Sequence, residues 1–272
     1  MLKNRLVFTL LYNDGNYMLS RNFRLQRVGN LDWLKSAYHF DAIAFSIDEL
    51  VVLNVEREIK NTDAFVKHVT QLSKECFMPI AAGGGIRSLA DGYSLMHAGA
   101  DKLVVNSIIF DDPRVVGQLV RTFGSQAVVA SIDCKKDGVL YKVYKHNGNV
   151  DSGMSILDAV RHVEKLGVGE IYLTSIDRDG TGQGYDMNLI KIVSSQTRLP
   201  VIAAGGIGKY EHFLEGMEKC GITATATANI YNFLVDGLKK AREYLKRNSV
   251  QLATWDYDVE YLRGSVKRSK KN

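Results

Sequence analysis

Apolar positions along this chain follow two rhythms. Short runs dense in aliphatic and β-branched residues, such as Leu6-Val7-Phe8-Thr9-Leu10-Leu11 and Leu50-Val51-Val52-Leu53, end in small or polar residues. Between them lie longer stretches in which apolar residues recur every three or four positions, as in Ala64, Phe65, Val66, Val69 and Leu72, or Ile156, Ala159, Val160, Val163 and Leu166. The first rhythm predicts strands buried on both faces, and the second predicts amphipathic helices. Strands are expected near 6–11, 50–55, 79–82, 102–106, 127–132, 170–175, 200–204 and 224–228, with helices between them.

The pattern repeats itself at about half the chain length. Met78-Pro79-Ile80-Ala81-Ala82-Gly83-Gly84-Gly85-Ile86 matches Leu199-Pro200-Val201-Ile202-Ala203-Ala204-Gly205-Gly206-Ile207. Asp48-Glu49-Leu50-Val51 matches Gly169-Glu170-Ile171-Tyr172 at the same offset, and Leu103 to Ser107 matches Thr225 to Asn229 one residue further on. Four strand-helix units followed by four more are better closed into a (β/α)8 TIM barrel than left as an open doubly wound sheet, because closure removes the exposed edges. The expected α/β organisation is one barrel over residues 1–250, with half-barrels at about 1–122 and 123–250. A C-terminal extension with a basic tail follows at 251–272.

Composition adds limits. With 46% hydrophobic residues in 272, the chain can bury a large core. It contains no apolar stretch of spanning length and no signal-peptide layout, so a cytoplasmic location without membrane association is expected. Cys76, Cys134 and Cys220 are scattered, which favours plain thiols over disulfides or a zinc site. No metal or cofactor is expected. The net charge of +5 resides in the tail residues Arg263, Lys267, Arg268, Lys270 and Lys271, so no nucleic-acid partner is indicated.

In a barrel of this kind, strand C-termini carry chemistry. Gly84 and Gly85 after the third strand, with Asn106 and Ser107 after the fourth, suit a phosphate approached by backbone amides. Their mates Gly205, Gly206, Ala228 and Asn229 follow strands seven and eight, implying a long substrate with a phosphate at each end; tight βα turns are the plainer explanation of such glycines. The loop with Asp177, Asp179, Gly180 and Thr181 follows strand six and is expected to meet substrate. Its glycine spacing superficially suggests a dinucleotide fingerprint, but the next strand ends in glycine where an acid is required. Asp133, closing the fifth run, is the best acid/base candidate, the bland alternative being a carboxylate satisfied by loop amides. Its counterpart at the end of the first run is Leu11. Tyr12 should point to the other side of that strand.

The segments GGGIRS, GADKLVVNS, FGSQAVVASID, GEIYLTSIDRDGTGQGYD and PVIAAGGIGKYEHFLE together resemble the cyclase subunit of imidazole glycerol phosphate synthase, the HisF-type family, from about residue 1 to 248. The resemblance implies a half-barrel duplication. It also implies a HisH-type glutaminase partner, in a heterodimer, whose ammonia cleaves and cyclises a bis-phosphorylated ribulosyl formimino carboxamide ribotide. The products are imidazole glycerol phosphate, for histidine biosynthesis, and an aminoimidazole carboxamide ribotide. Asp133 matches the family's fifth-strand catalytic aspartate. Leu11 falls on its other catalytic aspartate, Leu19 on a loop lysine, Asn54 on an aspartate and Ala204 on a serine. At the opposite end Arg5, Glu49, Lys102 and Glu170 match a charged gate for ammonia, and Asp101 matches a residue of the glutaminase interface. Four such charges also fit a salt-bridged barrel plug.

Three roles follow from this resemblance. The chain is the cyclase subunit itself, or it delivers ammonia for acetamidino modification of a surface sugar beside a sugar amidotransferase, or it is a non-catalytic barrel that docks and activates a glutaminase.

Overall fold

The computed structural model describes residues 3–38, 43, 45–58, 60–76, 78–229 and 232–253. The basic tail and the aromatics Trp255, Tyr257 and Tyr261 lie outside them.

Eight parallel strands close on themselves. In the order of the ring they are β1 (Arg5–Asn13), β4 (Glu49–Asn54), β5 (Ile80–Gly83), β6 (Lys102–Val105), β7 (Val128–Asp137), β10 (Glu170–Ser175), β11 (Val201–Ala204) and β12 (Ala224–Thr227), which returns to β1. Register is explicit at the closure, where Arg5 stands opposite Ala224 and Phe8 opposite Thr227. All eight expected strands are present, and the chain is a (β/α)8 TIM barrel.

Helices α1 (Leu31–Tyr38), α2 (Thr62–Glu75), α3 (Leu89–His97), α4 (Ile108–Asp111), α5 (Pro113–Phe123), α6 (Ile156–Leu166), α7 (Met187–Ser194), α8 (Tyr210–Cys220) and α9 (Gly237–Arg247) surround the sheet. Their starts are written locally. Ser88 and Asp91 cap α3 reciprocally, Asp112 caps α5 ahead of Pro113, and the Ser155 hydroxyl accepts from the Asp158 amide at the start of α6. None of the described helices is long and apolar enough to cross a membrane.

The alternation of a strand sorts its side chains between two apolar layers. Leu6, Phe8, Leu10 and Tyr12 face outward into the layer between sheet and helices, where the Tyr12 ring lies 5.2 Å from Phe65 and 4.6 Å from His68. Arg5, Val7, Thr9 and Leu11 turn to the lumen. Val7 packs there with Val51, Ala81, Val104, Val129 and Ile202, so the barrel axis is filled by side chains and is not an open pore.

Two antiparallel extensions, each of two successive hairpins, were not anticipated by the eight-strand reading. Beyond the barrel, β1 pairs antiparallel with β2 (Asn16–Arg21), which pairs with β3 (Arg24–Gly29). Likewise β7 runs on into β8 (Leu140–Lys145) and β9 (Val150–Ser155). The turns that leave the barrel strands are Asp14-Gly15, with φ of 45° and 74°, and Gly138-Val139, with Gly138 at 61°; Asn22-Phe23, at 49° and 62°, joins β2 to β3. Positive φ at the centre of a two-residue turn matches the twist of antiparallel strands, which is why Asp-Gly and Gly-X pairs make hairpins.

Candidate functional site

A cavity of about 570 Å³ opens at the C-terminal ends of the barrel strands. That volume lies within the range of small-molecule sites. All eight residues expected to bind phosphate line it: Gly84, Gly85, Asn106, Ser107, Gly205, Gly206, Ala228 and Asn229. So do Asp133, Leu11, Leu19, Asn54 and Ala204, and Asp179 and Gly180 from the loop after β10. Asp177 and Thr181 do not belong to this lining. The Asp177 carboxylate accepts from the Lys136 amide at 2.7 Å, and the Thr181 hydroxyl donates to the Arg178 carbonyl at 2.8 Å, so both brace loops instead.

Asp133 is buried, and burial pushes its carboxyl up to about 7 against the hydrogen bonds of Thr174 and Asn106, with Asp179 adding to the rise. Asn106 donates from Nδ2 to Asp133 Oδ2 at 3.0 Å and to the Ser131 carbonyl at 3.0 Å, which fixes the amide against the carboxylate. A carboxyl poised near neutrality can both give and take a proton. Leu11 stands on β1, four strands from β7 in either direction around the ring, so it is diametrically opposite. Its Cα partners are Leu53 on β4 and Met18 on β2. That side of the mouth is hydrocarbon, built from Leu11, Leu19, Leu25 and Leu53.

The glycine turns are sterically required. A Cβ on Gly84 would lie 2.2 Å from the Asn54 carbonyl oxygen, and one on Gly206 would lie 2.1 Å from that of Gly184; both glycines have positive φ, at 94° and 108°. Each turn therefore sits hard against a neighbouring loop and presents backbone to the cavity.

At the other end of the lumen four charges form a closed ring. Arg5 bonds Glu49 at 2.7 Å and Glu170 through a second nitrogen, while Lys102 lies 3.0 Å from each of the same two carboxylates. Burial acts to lower the Arg5 guanidinium, but Glu170 and Glu49 hold it above its usual value; burial raises Glu49 against the pull of Lys102 and Arg5. Asp101 is exposed beside this ring, and its carboxylate accepts from the Ile80 amide at 2.8 Å.

Residues 22–233 match the model of the family described as "Histidine biosynthesis protein". The chain belongs to this family. It is 41% identical over 256 residues to the "Putative imidazole glycerol phosphate synthase subunit hisF2" of Parasynechococcus marenigrum, covering 94% of this chain and 95% of the relative. It is 40% identical over 205 residues to the "Imidazole glycerol phosphate synthase subunit HisF" of Pyrobaculum aerophilum, covering 75% and 81%, and 35% identical over 255 residues to that of Metallosphaera sedula, covering 93% and 100%.

Several residues of this HisF-type barrel escaped the sequence reading. Glu56, just past β4, is buried and ties three segments together: it accepts from the Asp14 amide at 3.1 Å, the Asn61 amide at 2.8 Å and Asn54 Nδ2 at 3.3 Å. Lys60 lines the cavity, donates to the Asn54 carbonyl at 2.6 Å, and is pushed down to about 8 by burial. The first hairpin folds over the mouth and is pinned by Asp179, which accepts from Ser20 Oγ at 2.5 Å and the Phe23 amide at 3.0 Å. Burial raises the Asp179 carboxyl against those two bonds. The Asp14-Gly15, Asp137-Gly138 and Asn147-Gly148 dipeptides were the local signals for these hairpins; Glu56 and Lys60 have no motif of their own.

Proposed function

We propose that this chain is the cyclase subunit of a glutamine-dependent imidazole glycerol phosphate synthase, acting in histidine biosynthesis. In this reading a glutaminase docks at the face bearing Asp101, and ammonia enters through the ring of Arg5, Glu49, Lys102 and Glu170. The packed side chains of the lumen, Val7, Val51, Val104, Val129 and Ile202 among them, must part to let it through to a phosphorylated substrate spanning the cavity. The observation that carries the reading is the single axial line joining that ring, the lumen and Asp133. The two glycine cradles stand on either side of Asp133, following β5 and β11, each two strands from β7 around the ring.

At neutral pH Asp133 divides between its protonated and ionised forms, so it supplies either proton donation to a departing nitrogen or proton removal from the attacking ammonia. Asn106 holds the carboxylate in place. Asp179 and Gly180 line one wall, and Leu19, Phe23 and Leu25 of the first hairpin line another. The test is direct. Purified chain supplied with ammonium and the ribulosyl formimino carboxamide ribotide is expected to release imidazole glycerol phosphate and the aminoimidazole carboxamide ribotide; no product at any ammonium concentration overturns the assignment.

Leu11 supports a second reading. A positioned acid or base contributes about 10² to 10⁴ in rate, and here its place is hydrocarbon. The same ammonia route then serves another acceptor beside a sugar amidotransferase, an acetamido group on a sugar, whose oxygen departs as water as nitrogen replaces it. Loss of ribotide turnover with retention of ammonia transfer to such a sugar favours it. Asp133→Asn separates both from a purely docking barrel, which keeps its cellular role in that variant.

A further inference from the structure

Buried hydroxyls interrupt the hydrocarbon of the lumen. Thr9 on β1, Ser131 on β7 and Tyr172 on β10 face inward, are buried, and line the cavity. The Tyr172 ring packs in the apolar layer with Val7, Val51, Val129 and Ile202, while its hydroxyl meets Thr9 Oγ1 at 2.8 Å. Two strands, β11 and β12, separate β10 from β1 on the shorter way around the ring, so this bond crosses the lumen instead of running along its wall. Ser131 is the register partner of Tyr172 on the neighbouring strand.

Alternation sets the levels. On β1, Arg5 belongs to the charged ring, Thr9 stands four residues further on, about 13 Å along the strand, and Leu11 opens on the cavity. On β10, Glu170 belongs to the ring, Tyr172 to the middle, and Thr174 bonds the Asp133 carboxylate. The hydroxyl pair is thus the floor of the cavity and the ceiling of the packed lumen. Below it the packing is hydrocarbon, which an ammonium ion would cross only by giving up its hydration; neutral ammonia carries no such charge. A hydroxyl has one proton and two acceptor lone pairs, so a single bond between Thr9 and Tyr172 leaves acceptor capacity on both oxygens. Burial raises the Tyr172 phenol and Asp133 and Asp179 add to the rise against the Thr9 bond, so the phenol stays uncharged.

We propose that the paired hydroxyls of Thr9 and Tyr172 are the station at which neutral ammonia is held and oriented before it reacts. Ammonia donates N–H hydrogens to the two oxygens, which turns its lone pair toward a substrate carbon held beside Asp133. No covalent bond is made or broken at the station, and proton transfer stays with Asp133. Holding the nucleophile in line lowers the entropic cost of its encounter with the substrate. This inference rests on reading the lumen as an ammonia route, and it names the side chains that receive ammonia at its upper end.

Ammonium-driven turnover of the ribotide by the intact chain tests it. Tyr172→Phe and Thr9→Val keep the shape of the pair and remove one hydroxyl each; either is expected to raise the ammonium KM about three- to tenfold while the ribotide KM stays within about twofold. Thr9→Ser restores a hydroxyl and should return the ammonium KM toward the parent value. Amide spectra unchanged away from the pair verify that each variant is folded. A hydroxyl pair that only braces the barrel would lower the melting temperature and leave the ammonium KM where it was, and that result overturns the proposal.

Binding without turnover gives the second reading. Ammonium chloride titrated into Asp133→Asn, where the carboxyl's own titration cannot intrude, is expected to move the Ser131 and Tyr172 amides at a total concentration that falls as pH rises, because only the neutral form is bound. A midpoint independent of pH means a cation site and overturns the proposal. Amide shifts that Tyr172→Phe abolishes, in a chain that never converts the ribotide, leave the station standing and remove the proposed reaction. Ribotide turnover with an ammonium KM untouched by either variant does the reverse.

Discussion

Asn106 donates its Nδ2 hydrogen to the Asp133 carboxylate at 3.0 Å, and that bond opposes the burial that otherwise drives the carboxyl toward protonation. The carboxyl still stands at about 7, above its usual 3.8. A folded value above the unfolded one means that the folded state binds the extra proton between these two limits, so Asp133 erodes stability as pH rises from near 4 to near 7. Asp133→Asn is expected to be no more stable than the parent near pH 4. Above pH 7 it should gain up to about 4 kcal/mol, following the size of the shift. Urea unfolding at several pH values checks this, and a gain independent of pH would show that desolvation of Asp133 is not the cause.

Leu11→Asp places a second carboxyl on the far side of the mouth. If the barrel retains the rest of the cyclase machinery, imidazole glycerol phosphate formation from ammonium should rise by about 10² or more. Burying an acid among Leu19, Leu25 and Leu53 also carries a cost, of about 1 to 3 kcal/mol. Product formation and melting temperature, measured on the same sample, report the two effects separately.

Glu170→Gln opens the charged ring. Arg5 and Lys102 each lose a carboxylate partner, and breaking a buried charged network costs about 3 kcal/mol. Half of the ring is partly solvated, so the loss should sit at the low end of that range. Glutamine-dependent turnover with the glutaminase present is expected to fall, while turnover with added ammonium persists. Equal loss of both rates would mean that the ring supports only the fold.

Ser20→Ala removes the hydroxyl that binds Asp179 and should loosen the first hairpin from the barrel. Net destabilisation of about 1 kcal/mol is expected, confined to β2, β3 and the loop after β10. Amide exchange at Asn22 and Phe23, whose N–H groups also bond to Asp179, should accelerate while β5 and β6 remain protected.

The barrel was legible because closure depends on periodicity, and the eight runs carry theirs openly. Positions inside the lumen followed by alternation: Asp133 inward, Tyr12 outward. Bracing was harder to read. Asp177 and Asp179 sit two residues apart in one loop, yet one carboxylate holds the Lys136 amide while the other lines the cavity and holds Ser20. Which way each points is set by the hairpins they meet, and those contacts span 41 and 159 residues of sequence. Lys60 was invisible for a similar reason. A lysine in a charged loop reads as solvated until the fold lays its stem against Gly85.

The charged ring bears on the independence of the two halves. Arg5, Glu49 and Lys102 come from the first half-barrel and Glu170 alone from the second. A buried ion pair beside the ring crosses in the other sense, with Asp48 of the first half bound at 2.9 Å to Arg242 of the second. Counted together, the first half brings Arg5 and Lys102 against Glu49 and Asp48, and the second brings Arg242 against Glu170, so each is neutral by itself. What the halves share is pairing: a chain cut between residues 122 and 123 should leave Asp48 and Glu170 without their bases until the two fragments meet.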